Sequence, residues 1–138
     1  MGDQAQAPHF KASRIGRVCK HIRANARSKG IFIDRINGHD DHVHVLMLLK
    51  SELSISKQMQ LLKGESAFWA NQVSLVKGGL EWSVKYFAAS VSDGKLDIVR
   101  RYIDNQQAHH RKKAFKEEFK SFVRSLGYSD EGLDEDLD

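Results

Sequence analysis

Two pairs of residues have the types and spacing for chemistry: His42 with His44, and Tyr102 with Gln106. The histidines lie in Asp41-His42-Val43-His44-Val45-Leu46-Met47-Leu48-Leu49, an apolar run rich in branched residues that reads as a strand in a sheet core. Side chains alternate faces along a strand, so both imidazoles point one way while Val43 and Val45 enter the opposite layer. Two imidazoles on a rigid strand make half of a metal site. They read equally as polar residues on the wet face of a sheet, because a short motif is weak when alone. Tyr102 and Gln106 are four residues apart in a helical pattern and so share a helix face. The Gln106 carbonyl oxygen is a hard ligand suited to Mg²⁺ or Mn²⁺. With His42 and His44 it would give three uncharged protein ligands and leave open positions on a strongly electrophilic ion. Such an ion beside a phenol suits covalent phosphoryl transfer: the metal polarises a phosphate and the phenolate attacks phosphorus in line. Taken alone, Tyr102 also reads as an amphipathic residue at a helix edge.

The elements that must position these groups follow from the pattern. From about Lys11 to Lys29, Ile15, Val18, Cys19, Ile22 and Ala26 recur at three and four, predicting an amphipathic helix that Gly30 stops. Its other face carries Arg14, Arg17, Lys20, Arg23 and Arg27, either a solvated surface or a phosphate track. Residues 31–36 read as a short strand, Asn37-Gly38 as a turn, and the histidine strand follows, so residues 31–49 form an antiparallel hairpin. Ser54 or Ser51 caps a second helix over about 54–72, with Ile55, Met59, Leu62, Phe68 and Trp69 as its apolar side. Gly64 interrupts that helix at a cost unless close approach is needed there, and Lys63 beside it can meet a phosphate or simply be solvated. Residues 81–91, aromatic and branched, read as another strand. A third helix runs from about Lys95 to His110 with Leu96, Val99 and Ile103 buried, and a fourth over about 113–126.

The 138 residues suit one domain with its own core. No apolar run reaches membrane-spanning length and no signal peptide is visible, so no membrane partner is expected. The single cysteine, Cys19, cannot form an internal disulfide, which predicts a cytoplasmic protein. The net charge of +4 hides an asymmetry: residues 129–138 hold six acids and no base, leaving 22 basic and 12 acidic residues on 1–128. A body of charge +10 suits a polyanion such as nucleic acid, and the acidic tail is expected to be mobile.

At these residues a resemblance becomes specific. Asp41-His42-Val43-His44-Val45-Leu46 resembles the HUH motif of the single-tyrosine transposases of small bacterial insertion sequences, the IS-two-hundred type. Leu61-Leu62-Lys63-Gly64-Glu65-Ser66 is similar to their central helix. Glu81-Trp82, Tyr86-Phe87-Ala88-Ala89-Ser90-Val91 and Tyr102-Ile103-Asp104-Asn105-Gln106-Gln107-Ala108-His109-His110 resemble the end of the family domain. The likeness covers roughly residues 31–128.

The resemblance implies an α+β, ferredoxin-like antiparallel sheet with helices packed on one face. It implies a metal-dependent endonuclease that recognises hairpins in single-stranded DNA, then cleaves and rejoins strands through a 5′-phosphotyrosine. Carried over, Tyr102 is the nucleophile, His42, His44 and Gln106 hold Mg²⁺ or Mn²⁺, and the protein is a homodimer whose tyrosine helix can complete the partner's site. Lys63, Arg14 and Arg17 are the candidate DNA contacts. The sequence departs from the family in two places. Asp40 stands where a proline is usual, and residues 1–10 lack the pattern of the family's first strand. The expectation is therefore an N-terminally short transposase domain, 1–128, with an acidic tail, 129–138. The alternatives are a catalytically inactive or domesticated hairpin-DNA-binding relative, a replication or mobilisation nickase with the same metal and tyrosine chemistry, and a ferredoxin-like module with a surface His pair.

Overall fold

A computed structural model describes residues 14–39, 42–83, 86–106 and 115–131. The expected absence of a first strand, on residues 1–10, lies outside them. In chain order come helix α1 (Arg14–Ser28), strands β1 (Phe32–His39) and β2 (His42–Leu48), and helix α2 (Ile55–Gln72). A 3-10 turn (Asp93–Lys95), helix α3 (Leu96–Asp104) and helix α4 (Phe115–Ser125) follow. The fold is α+β, with helices packed against a small antiparallel sheet, two-stranded among the described residues. The chain divides into two compact units, Met1–Trp82 and Ser83–Asp138.

In the first unit, α1 buries the stripe its spacing predicts: Val18, Cys19, Ile22 and Ala26. Gly30, at φ 76°, ends it, and the Ile31 amide reaches back to the Ala26 carbonyl at 2.9 Å. Burial pushes the Cys19 thiol up to about 12, as for a core residue. Ile31, Ile33, Leu62, Ala70 and Leu75 join this stripe in one core, and Ile36, Val45 and Met47 pack on it.

The hairpin forms, but its turn is not Asn37-Gly38. Both are paired in β1, opposite His44 and Val43, and the last pair is His39 with His42. Gly38 is needed for close packing instead. A Cβ there would lie 2.9 Å from Ile15 Cγ2 and 3.1 Å from the Val43 Cα, and would also meet the His42 carbonyl oxygen. The register shifts between Ile33 and Arg35, which leaves carbonyls out of the ladder. Arg23 of α1 donates to the Ile33 and Asp34 carbonyls at 3.1 Å each. Thus Arg23, read in the sequence as part of a solvated or phosphate-binding face, is occupied in holding α1 to β1.

Ser54, not Ser51, caps α2: its side chain accepts the Lys57 amide at 3.0 Å. The buried line of α2 is Gln58, Leu62, Ser66 and Ala70, each four residues on. Phe68, expected on the apolar side, is 62% exposed, since it lies about half a turn away from that line. Gln58 is fully buried and satisfied. It donates to the Lys50 and Leu53 carbonyls and accepts the Lys50 amide, so it fixes the turn between β2 and α2. Between α1 and α2, His21 Nε2 donates to Glu65 at 2.7 Å while its ring stacks on Trp69 at 4.2 Å. Trp82 Nε1 donates to Ser66 Oγ at 2.9 Å, tying the end of the unit to α2.

The strand expected over 81–91, which begins at the end of the first unit, does not form among its described residues, 81–83 and 86–91. Its residues in the second unit have other partners there. Phe87 packs edge-on to Phe119 of α4 at 5.4 Å, and Tyr128 O–H donates to the Ser90 carbonyl. Tyr86 and Phe87 stay exposed, so the segment is held at single contacts and not along its length. Helix α3 is also shorter than expected, ending at Asp104 with Asn105 as cap. Residues 107–110, expected to continue it, lie outside the described residues.

Candidate active site

Strand β2 sets the histidine pair. Ile36, Val45 and Met47 face the core, so alternation assigns His42 and His44 to the other face of the sheet. Both are half-buried, with ring centroids 5.6 Å apart and planes inclined by 72°. Two imidazoles bonded to one ion at about 2.1 Å each can have centroids no farther apart than about 6.5 Å. The observed separation lies below that limit, so distance does not keep the two rings from one ion. Among the described residues no three His, Cys, Asp or Glu side chains gather into a metal group.

Helix α3 sets the second pair. Val99 and Ile103 form its buried stripe, which leaves Tyr102 beside Ile103 at the edge. The Tyr102 ring stacks face to face on Phe122 of α4, with centroids 3.8 Å apart, and joins the small cluster of Phe119 and Val123. Gln106 lies just past the helix end yet is buried, and its Nε2 donates to the Tyr102 carbonyl at 3.3 Å. With Nε2 so engaged, Oε1 is the acceptor left for a hard cation. The Tyr102 phenol is pushed up to about 12, mainly by burial; a Gln106 side-chain hydrogen bond acts the other way, and the Glu118 carboxylate adds to the rise.

The structure brings His42 to His44 within the first unit and Tyr102 to Gln106 within the second. Arg14 and Arg17 are exposed on α1, and Lys63 is half-buried on α2. Gly64 beside it has open space where a Cβ would be, so the helix packing gives no reason for this glycine. Phe122 was not singled out by sequence as a support for Tyr102. The signal available was an aromatic in the i, i+3 series Phe119-Phe122, which reads as core. No helix among the described residues is long and apolar enough to cross a membrane.

The family profile described as "Transposase IS200 like" matches residues 4–106, which include His42, His44, Lys63, Tyr102 and Gln106. No curated protein and no solved structure matches the chain. A match over about three quarters of the sequence decides the family: the chain belongs to the IS200-like transposases.

Proposed function

We propose that this protein is a metal-dependent transposase that recognises DNA hairpins, and cleaves and rejoins single-stranded DNA through Tyr102. The observation that carries the reading is the His42–His44 pair, on one face of β2 with ring centroids 5.6 Å apart, in a chain of this family. His42, His44 and the Gln106 carbonyl oxygen hold Mg²⁺ or Mn²⁺. When bound, the ion supplies Lewis-acid polarisation of the scissile phosphate. Tyr102 gives up its phenolic proton and attacks phosphorus. The new phenol–phosphorus bond replaces the bond to the 3′ oxygen, which takes up a proton and leaves as a 3′-hydroxyl. The product is a 5′-phosphotyrosine, and attack by a 3′-hydroxyl reverses the step and rejoins strands. Arg14, Arg17 and Lys63 contact the phosphate backbone. The working form is a cytoplasmic homodimer in which Tyr102 can serve the histidines of the partner. Labelled single-stranded DNA carrying a hairpin tests this: in Mg²⁺ the wild type forms a covalent protein–DNA adduct stable to denaturation, and Tyr102→Phe forms none. An adduct of unchanged yield in Tyr102→Phe would overturn the assignment.

One observation favours the second reading, a hairpin-binding relative without catalysis. Tyr102 is stacked on Phe122 with its phenol pushed up to about 12, a resting environment for a nucleophile. That reading expects DNA binding with no adduct from either protein.

A further inference from the structure

The chain after α2 turns back on itself through a loop whose backbone is unusual. Ser74 has φ 54°, the only non-glycine residue with positive φ among those described, and Gly78 and Gly79 follow at 87° and 97°. The loop is held at both ends by α2. The Leu75 amide donates to the Ala70 carbonyl at 2.9 Å, and Asn71 Oδ1 accepts the Leu80 amide at 2.7 Å. Between this loop and the start of α1 lies an open cleft of about 780 Å³, lined among others by Arg14, Asn71, Ser74, Lys77, Gly78 and Gly79.

The lining is one-sided chemically. It includes two cations, Arg14 and Lys77, and no carboxylate among the described residues. Among the described residues neither cation has an ion pair. Asn71 uses its oxygen on Leu80, which leaves its Nδ2 amide as a donor, and Ser74 adds a hydroxyl. The backbone amides of Val76, Lys77 and Gly78 donate to no acceptor among the described residues. Positive charge, a surplus of donors and glycines at positive φ are what a phosphate group requires of a loop. Gly78 faces open space, where a Cβ would meet nothing within 4 Å, while a Cβ on Gly79 would lie 3.3 Å from Asn71 Oδ1.

We propose that this cleft seats a phosphodiester group of the bound DNA, with Arg14 and Lys77 as its cations and the 76–78 amides as its donors. This rests on the DNA-processing function proposed above and adds Lys77 and the loop to the DNA contacts. Arg17, one turn along α1 from Arg14, would extend the track.

The test uses the full chain, ¹⁵N-labelled, titrated with inorganic phosphate and with a short single-stranded DNA hairpin. Both should shift the amide resonances of Val76, Lys77 and Gly78. The double variant Arg14→Gln/Lys77→Gln, folded by circular dichroism, should lose those shifts and bind the DNA about five- to tenfold more weakly. The slope of log affinity against log salt should fall by about 0.7 for one lost single-strand phosphate. Lys77→Arg should retain binding. Wild-type DNA binding that the double variant leaves unchanged in affinity and salt slope would overturn the cleft while leaving the functional reading intact. A wild-type chain that binds no DNA would overturn that reading and the cleft with it.

Discussion

The histidine pair and the tyrosine pair are held by different kinds of structure. His42 and His44 stand on a strand whose backbone is paired residue by residue with β1, and whose other face is sealed by the α1–α2 core. Arg23 fastens the bulge and Gln58 fixes the turn that follows. Tyr102 stands on a helix of nine residues and is held by a ring stack on Phe122 and a small apolar cluster. A ladder and a close-packed core fix side-chain direction through many coupled contacts. A short helix held by few contacts changes position at lower cost. The His42–His44 pair is therefore set in a paired, close-packed frame, whereas Tyr102 rests on a short helix and a small apolar cluster.

The sharpest way to break that comparison is to mix two broken chains. A Tyr102→Phe protein and a His42→Ala/His44→Ala protein should each be inactive, with adduct formation in Mg²⁺ at background. Because the histidines lie off the core face, the double variant should keep its melting temperature within a few degrees. If the tyrosine serves the partner's histidines, mixed heterodimers hold one complete site and adduct formation returns. A mixture as dead as its components would show that the tyrosine acts only within its own chain.

The rigidity of the histidine half is next. Gly38→Ala places a methyl against the His42 carbonyl and Ile15, and should cost about 1–3 kcal/mol in urea unfolding. An unchanged midpoint would mean that the hairpin and α1 yield more readily than this close packing implies. On the other side of the comparison, Phe122→Ala removes the ring under Tyr102 and should lose about 0.5–1.5 kcal/mol beyond the cost of lost burial. Hydrogen exchange should quicken in α3 and α4 while β1 and β2 keep their protection. Equal loss in both regions would erase the distinction. The smallest effect is expected at Gly64, where a methyl meets nothing. Gly64→Ala should raise stability by about 0.5–1 kcal/mol. If DNA backbone approaches α2 there, the same change should weaken DNA binding, and unaltered binding would make Gly64 a neutral interruption.

Much of the first unit was legible in the sequence because one local signal sufficed for each element. The α1 stripe, the glycine stop at Gly30, the Ser54 cap and the alternation that puts His42 with His44 all follow from period and local hydrogen bonding. Where two local readings fit, the sequence misled. Asn37-Gly38 has turn composition, but Gly38 is there because α1 and the facing strand leave no room for a Cβ. Phe68 has the composition of a core residue, but Gln58 and Ser66 occupy the buried line with their polar groups satisfied.

By itself the sequence determined the helix and hairpin order, the apolar faces of α1 and α3, the sheet face shared by the two histidines, and the family. These depend on residue type and spacing along the chain. Only the tertiary structure decided that Arg23 holds the β1 bulge, that residues 86–91 pack through Phe87 and Ser90 instead of forming a ladder, and that Tyr102 rests on Phe122. Each of these joins groups far apart in sequence. Their energy comes from burial and from polar groups finding partners in three dimensions, and no local period records that.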